Sequence, residues 1–396
     1  MRALTILGST GSIGQSTLDV VRHRPDRFKV HALVAGRNVD RLAEQILEFR
    51  PALAVIETEA DLPHLRNRIT ALGLEHSDWP EFGFGAAARV AAATAGETDM
   101  VLSAIVGVAG LEATYEAVLA RKQIGLANKE TLVAGGELMM KAARENGVEL
   151  IPVDSEHNGA HQCLRAGRRN EVTRLILTAS GGPFRNTAKQ ALALVTPAQA
   201  LNHPTWRMGP RITIDSATMM NKGFEVIEAC WLFDMTPGEV DVVVHPQSSV
   251  HAMVEYNDGS VVAQLSATDM RMPIQYALTY PERLDAPVPR MNWTEARSLD
   301  FLPPDYDKFP LLGLAYQSQR AGGAATCTLN AADEVAVEAF LKEEIGYQAI
   351  AEVVEETLQR MPGRAPQSVG ELLEIDRKSR ETARQACAQR GNYVRI

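Results

Sequence analysis

The sequence predicts an α/β protein in three parts: an N-terminal open parallel sheet, a central α+β domain and a C-terminal helical bundle. Three observations carry that reading. From residue 3 to residue 153 short apolar runs alternate with helical stretches, and most runs end in glycine or polar residues, as strands of a parallel sheet with one functional edge do. After Asn158 that rhythm stops, and strand patterns joined by tight turns take over. Six prolines between residues 281 and 310 mark an extended linker, and beyond them the pattern is helical. The boundaries are 1–153, 154–283, a linker at 284–310, and 311–396.

Residues 3–7 form the first strand, and Gly8-Ser9-Thr10-Gly11-Ser12-Ile13-Gly14 turns it into a helix that runs through Leu18, Val20 and Val21. The glycines allow a tight turn and close backbone approach, and the helix N-terminus offers free N–H groups to a pyrophosphate, as in a Rossmann-type sheet. The spacing is Gly-x-x-Gly-x-x-Gly, and such turns also serve strand–helix junctions that bind nothing. The strand at 28–35 ends in Gly36-Arg37-Asn38. An NAD-binding protein places an acid there for the ribose diol, whereas an arginine accommodates the extra phosphate of NADP, so Arg37 argues for NADP. Its ordinary reading is an exposed loop arginine. A helix at 40–50 presents Leu42, Ile46 and Phe49 on one face, and a strand follows at 52–56. Residues 57–98 are less regular, with helical stretches around a Trp79-Pro80 turn. A strand at 100–105 leads through Gly107 and Gly110 into a helix at 111–120. The next, at 124–127, ends in Asn128-Lys129-Glu130-Thr131, where Lys129 can meet a phosphate or a hydroxyl or simply open the following helix.

The apolar run at 148–153 ends in Asp154-Ser155-Glu156-His157-Asn158, at the mouth of the crevice where open α/β sheets bind ligands. In extended backbone the i,i+2 spacing turns both carboxylates to one side, which costs free energy unless a cation is shared. Two hard oxygen donors suit Mg²⁺ or Mn²⁺. The other reading is a polar turn whose Asp154 caps the next helix.

In the central part, a strand at 175–179 runs into Ser180-Gly181-Gly182-Pro183, either an anion-binding nest or only a turn. Residues 202–210 carry Trp206 and Met208 in a loop bracketed by proline and glycine, a lid or a loop docked on the core. A strand is expected at 212–214. Asp215-Ser216 then caps a helix whose core stripe is Met220, Phe224, Ile227 and Trp231. Ser216, Asn221, Lys222 and Glu225 can together hold a phosphate and reach a metal; the alternative is a solvated helix face with Glu228 as a bystander. Runs at 242–245, 250–256 and 261–265 read as an antiparallel meander, whose spare face would suit a subunit interface. Ser368-Val369-Gly370-Glu371 is a capping box for the last helix.

Bulk properties narrow the classes. The chain has 396 residues, 45% hydrophobic and 22% charged, which suits a soluble protein of two or three domains. A net charge of −9 without a basic run argues against nucleic acid or an anionic membrane as partner. Four scattered cysteines fit neither a disulfide framework nor a zinc motif, and a cytoplasmic location is the simplest expectation, with no signal peptide or membrane-spanning run.

The motifs at 8–14, 127–130, 152–157 and 216–225, with His245-Pro246-Gln247-Ser248, Asp269-Met270-Arg271 and Asn330-Ala331-Ala332, closely resemble the 1-deoxy-D-xylulose 5-phosphate reductoisomerase family almost end to end. The resemblance implies a metal held by Asp154, Glu156 and Glu225. Ser180, Ser216, Asn221 and Lys222 would hold the substrate phosphate with His203 close by, and Ser155 and Lys129 would touch its hydroxyls. Thr10, Gly11, Ser12, Ile13, Gly36, Arg37, Asn38, Asn128 and Glu130 would hold NADPH, while the loop carrying Trp206 closes over the site. A three-domain homodimer is implied, with skeletal rearrangement of a phosphorylated sugar by retro-aldol and aldol steps followed by hydride transfer. This chain departs from the family's habit at Gly159, Ala160 and His161, and has Ala179 and Asp333 where Gly and Asn are usual. An NADP-dependent oxidative decarboxylase is the rival enzyme, but it needs an arginine-rich carboxylate pocket. A non-catalytic NADP sensor is the other rival, and it needs no acidic cluster.

Overall fold

The computed structural model describes residues 1–206 and 208–391 and falls into two compact units. In chain order the elements are β1 (Arg2–Leu7), α1 (Ser12–His23), β2 (Phe28–Val34), α2 (Val39–Phe49), β3 (Leu53–Ile56), α3 (Leu62–Ala71), β4 (Glu81–Phe84), α4 (Gly85–Thr94) and β5 (Met100–Ser103). There follow α5 (Leu111–Leu119), β6 (Gln123–Leu126), α6 (Glu130–Asn146), β7 (Leu150–Pro152), α7 (Ser155–Cys163), β8 (Val172–Ala179), α8 (Pro197–Ala200), α9 (Pro210–Ala217) and α10 (Met220–Leu232). The chain closes with β9 (Val240–Val244), β10 (Val250–Tyr256), β11 (Val261–Leu265), α11 (Arg271–Thr279), α12 (Pro310–Ala321), α13 (Ala325–Leu341), α14 (Tyr347–Arg360) and α15 (Val369–Arg390).

The first unit comprises Met1–Thr131, Met139–Asn158 and Asp269–Arg290. Its seven strands lie in the order β4-β3-β2-β1-β5-β6-β7, and every pairing is parallel. Because β1 pairs with β2 on one side and β5 on the other, the strand order reverses beside it, where such sheets place their ligand. Leu4, Ile6, Leu33, Leu102 and Ile151 are buried between helices on both faces, hence the nearly unbroken apolar runs. Strand β4 was illegible because it is short, half exposed and interrupted by Gly83. Helix α11, sequence-distant, buries Ile274 and Leu278 in this same core.

The second unit comprises Leu132–Leu138, Gly159–Thr268 and the described residues from Met291 on. Its sheet has the order β11-β10-β8-β9, with β8 parallel to β9 and antiparallel to β10. The expected meander is therefore corrected: β9 and β10 do not pair, because β8 lies between them, and only β10 and β11 form a hairpin. Leu175, Leu177, Val242, Ala252 and Val254 on the inner face share one core with Phe224 and Ile227 of α10, Leu311 and Leu312 of α12, and Phe340 of α13. The helices α13, α14 and α15 pack on one another as the bundle pattern predicts. Ser368 accepts a hydrogen bond from the Glu371 N–H at 3.2 Å and caps α15, but the Glu371 carboxylate accepts from the Gln367 N–H at 3.0 Å, so only half of the expected capping box forms. The strand expected at 212–214 is instead part of α9, with Pro210 in its first turn and Ile214 and Ala217 buried on one side. Among the described residues no helix is long and apolar enough to cross a membrane.

Candidate active site

In the first unit the turns after β1, β2, β6 and β7 open on one edge, because the strands that precede them are parallel. At the glycine-rich turn, Gly8 has φ +89°, and a Cβ there would lie 2.6 Å from the Ala104 carbonyl oxygen. A Cβ on Gly14 would lie 2.3 Å from the Gly8 oxygen. The fold itself demands these two glycines. Gly11 differs: its Cβ would make only a 3.4 Å contact, so any requirement for glycine there comes from a ligand. Helix α1 has no side-chain cap at Gly11, which leaves its first N–H groups to an anion. The loop is braced by Gln45, which donates to the Ser9 carbonyl at 2.9 Å, and by Gln15, which donates to that of Thr10 at 2.9 Å. Gly36, Arg37 and Asn38 are exposed beyond β2, and Asn38 caps α2 by accepting from the Arg41 N–H at 3.1 Å. Asn128 is buried and donates to the Gly107 carbonyl at 3.0 Å, while Glu130 opens α6.

The acidic stretch corrects one premise of the sequence reading. Strand β7 ends at Pro152, and α7 begins at Ser155, with the Asn158 N–H bonded to the Asp154 carbonyl at 2.8 Å. Asp154 and Glu156 are therefore brought together by a helix start and not by strand alternation. One carboxylate oxygen of Asp154 lies within 4.8 Å of one of Glu156, a pair of hard donors that fits a divalent cation. Lys129 forms an ion pair with Asp154, their side chains only 8% and 13% exposed. Burial works against the Asp154 carboxylate, but the Lys129 ammonium and His157 outweigh it and hold the group well below the usual carboxylate range. Ser155 donates to Glu156 at 2.5 Å. His157, which the sequence reading passed over, is fully buried, with a ring nitrogen within 4.8 Å of Asp154.

In the second unit, Gly181 and Gly182 have φ +80° and +64°, and a Cβ on Gly182 would lie 2.6 Å from the Ser216 carbonyl oxygen. Only glycine lets the turn after β8 approach the end of α9. His203 Nδ1 accepts from the Thr205 and Trp206 N–H groups at 3.1 and 2.9 Å, so the ring proton sits on Nε2 and is donated to Ser180 Oγ at 3.0 Å. Burial first, and Arg185 second, push the His203 imidazole below its ordinary value, in keeping with that neutral tautomer. Ser180 Oγ also accepts from the Gly182 N–H at 3.2 Å, leaving its own proton to offer an anion. The residue after Trp206, Arg207, lies outside the described residues.

After α9 the chain turns at Met219, with φ +63°, into α10, which has no side-chain cap. Asn221 donates to Glu225 at 2.5 Å, and Lys222 is ion-paired with the same carboxylate. A solvated face is excluded: Lys222, Glu225 and Glu228 are 4%, 1% and 0% exposed. Buried charges are held only where partners or ligands compensate their desolvation. Glu228 belongs to this buried set, and its signal was a carboxylate inside an otherwise apolar run.

Three family descriptions match: 1-deoxy-D-xylulose 5-phosphate reductoisomerase over residues 4–136, its C-terminal domain over 150–233, and the DXP reductoisomerase C-terminal domain over 265–382. The reductoisomerase of Solibacter usitatus is 67% identical over 97% of each chain, and that of Chlorobium phaeovibrioides 52% over 97% of this chain and 98% of its own. The solved Zymomonas mobilis enzyme with NADPH has 44% identity and a TM-score of 0.91, covering 98% of this chain and 99% of that one. A DOX-P reductoisomerase solved with NADPH, fosmidomycin and magnesium has 40% identity and a TM-score of 0.91, covering 98% of each chain. By sequence and by fold, the chain belongs to the 1-deoxy-D-xylulose 5-phosphate reductoisomerase family.

Proposed function

We propose that this protein converts 1-deoxy-D-xylulose 5-phosphate to 2-C-methyl-D-erythritol 4-phosphate with NADPH and Mg²⁺ or Mn²⁺, in isoprenoid precursor biosynthesis by the methylerythritol phosphate pathway. Family membership carries this reading. Residues 1–153 are the NADPH part, 154–283 the catalytic and dimerisation part, and 311–396 a helical part joined by the linker at 284–310. The cation belongs to Asp154, Glu156 and Glu225. When bound, it supplies a Lewis acid that stabilises negative charge on substrate oxygens. NADPH, when bound, supplies the hydride.

The chain's own residues then have definite work. Ser180, with its hydroxyl proton uncommitted, and Ser216, Asn221 and Lys222 bind the phosphate remote from the reacting carbons, and that binding energy orients the substrate. His203 fixes the rotor of Ser180. Lys129 keeps Asp154 ionised and, with Ser155, meets substrate hydroxyls. The Trp206 segment excludes water. Incubation with 1-deoxy-D-xylulose 5-phosphate, NADPH and Mg²⁺ tests the reading: NADPH is consumed only when all are present, and no consumption refutes it.

Two cofactor predictions follow from the first unit. Arg37→Ala should weaken NADPH about tenfold or more through loss of a charge-assisted phosphate contact, yet leave NADH almost unchanged; titration with both cofactors checks it. Gly11→Ala, whose methyl the fold can house, should raise KM for NADPH about tenfold without lowering Tm, since only a closely approaching pyrophosphate objects to it.

The homodimer is supported by the outer face of the second unit's sheet, where Ile176, Val243 and Met253 are only half-buried and Val261 is 51% exposed. The cytoplasmic setting is supported by four cysteines that are all free.

A further inference from the structure

Strand β7 is the last strand of the first unit's sheet, so its outer side has no further strand to pair with. The peptide that joins Pro152 to Val153 gives its N–H to the Leu126 carbonyl of β6 at 2.8 Å. A trans peptide is planar and its carbonyl points opposite its N–H, so the Pro152 oxygen faces that open side. A buried carbonyl there needs a donor from outside the sheet. Asn158 supplies it. Its side chain, on a residue 0% exposed, donates to the Pro152 oxygen at 2.8 Å and to the Pro273 oxygen, in the first turn of α11, at 3.2 Å. Two carbonyl acceptors can be met only by the amide nitrogen, which fixes the orientation of the group. The backbone N–H of the same residue bonds to the Asp154 carbonyl at 2.8 Å. Asn158 therefore holds both ends of the bend Pro152-Val153-Asp154, which turns β7 into the helix start that carries the acidic pair. The far end of this bracket is firm for its own reasons. Helix α11 buries Ile274 and Leu278 in the first unit's core, and at its start the Asp269 carboxylate accepts from the Arg271 N–H at 2.9 Å and from its guanidinium at 2.6 Å.

We propose that Asn158 is a positioning residue for the divalent cation: by tying the end of β7 to α11 it holds Asp154 and Glu156 where one ion can share them. This rests on the reading of Asp154 and Glu156 as metal ligands. Without the bracket, two carboxylates must be drawn together against their mutual repulsion each time a cation binds. With it, the arrangement is built before the cation arrives, and the cost of ordering the ligands falls on folding instead of on binding.

Mn²⁺ titrations followed by electron paramagnetic resonance, paired with NADPH titrations of the same proteins, test this. Asn158→Ala, which removes both side-chain bonds, should weaken Mn²⁺ about tenfold or more and leave NADPH affinity within about twofold, the scale expected for a residue that orients metal ligands. Asn158→Asp keeps the shape but sets a carboxylate against two carbonyl oxygens. It should also bind Mn²⁺ more weakly than the wild type, although a negative charge added one helical turn from Asp154 would by itself tighten a cation. Wild-type Mn²⁺ affinity in Asn158→Ala, tighter Mn²⁺ in Asn158→Asp, or loss of NADPH and Mn²⁺ together, as a merely structural residue gives, overturns the proposal. Failure of the ligand assignment looks different: wild-type Mn²⁺ affinity in Glu156→Gln removes the ligands themselves, whatever the Asn158 variants do.

Discussion

Glu225→Gln will lower kcat by about three orders of magnitude or more, the scale expected when Lewis-acid stabilisation of several kcal/mol is lost, while NADPH affinity stays within about twofold. The substitution keeps the side chain's volume in a position 1% exposed, and an amide oxygen can still accept from Asn221. What disappears is a negative charge, and with it one proposed hard ligand for a cation and one ion pair with Lys222. Steady-state kinetics with a parallel NADPH titration checks both halves. Wild-type turnover in the variant would show that Glu225 is no metal ligand.

Asp154→Asn should be costly twice over. It removes a proposed metal ligand, and it breaks an ion pair whose two side chains are nearly inaccessible to water. Breaking such a buried pair costs about 3 kcal/mol of stability, so a fall in Tm should accompany the loss of turnover. The pH dependence carries the sign. Because the folded Asp154 carboxyl lies below its unfolded value, its contribution is fully present above the unfolded value and is lost as pH falls toward the folded one. Acid unfolding of the wild type should therefore draw partly on Asp154, and the variant, measured by circular dichroism between neutral pH and acid, should lack that share.

Much of the first unit was legible because parallel strands buried on both faces leave continuous apolar runs, and their C-terminal edge leaves glycine and polar residues. Residues 3–14 and 148–158 show this most clearly. What failed depended on partners distant in sequence. Ile212-Thr213-Ile214 reads as a strand by β-branching, yet burial of Ile214 and Ala217 against the second unit's core makes it helical. Nothing local announces that β8 separates β9 from β10, or that α11 returns to the first core. The sequence left a solvated face open for α10, because a helix's exposure depends on what packs over it. The burial of Lys222, Glu225 and Glu228 settles that point, and burial likewise exposes His157. The candidate catalytic residues themselves were found by motif resemblance more than by periodicity.

Three acidic side chains are asked to share one hard cation, and Mn²⁺ binding measures that directly. Electron paramagnetic resonance titrations of the wild type, Asp154→Asn, Glu156→Gln and Glu225→Gln should show each single change weakening Mn²⁺ at least about tenfold, as loss of a metal ligand does. Wild-type Mn²⁺ affinity in any of the three would contradict the shared site.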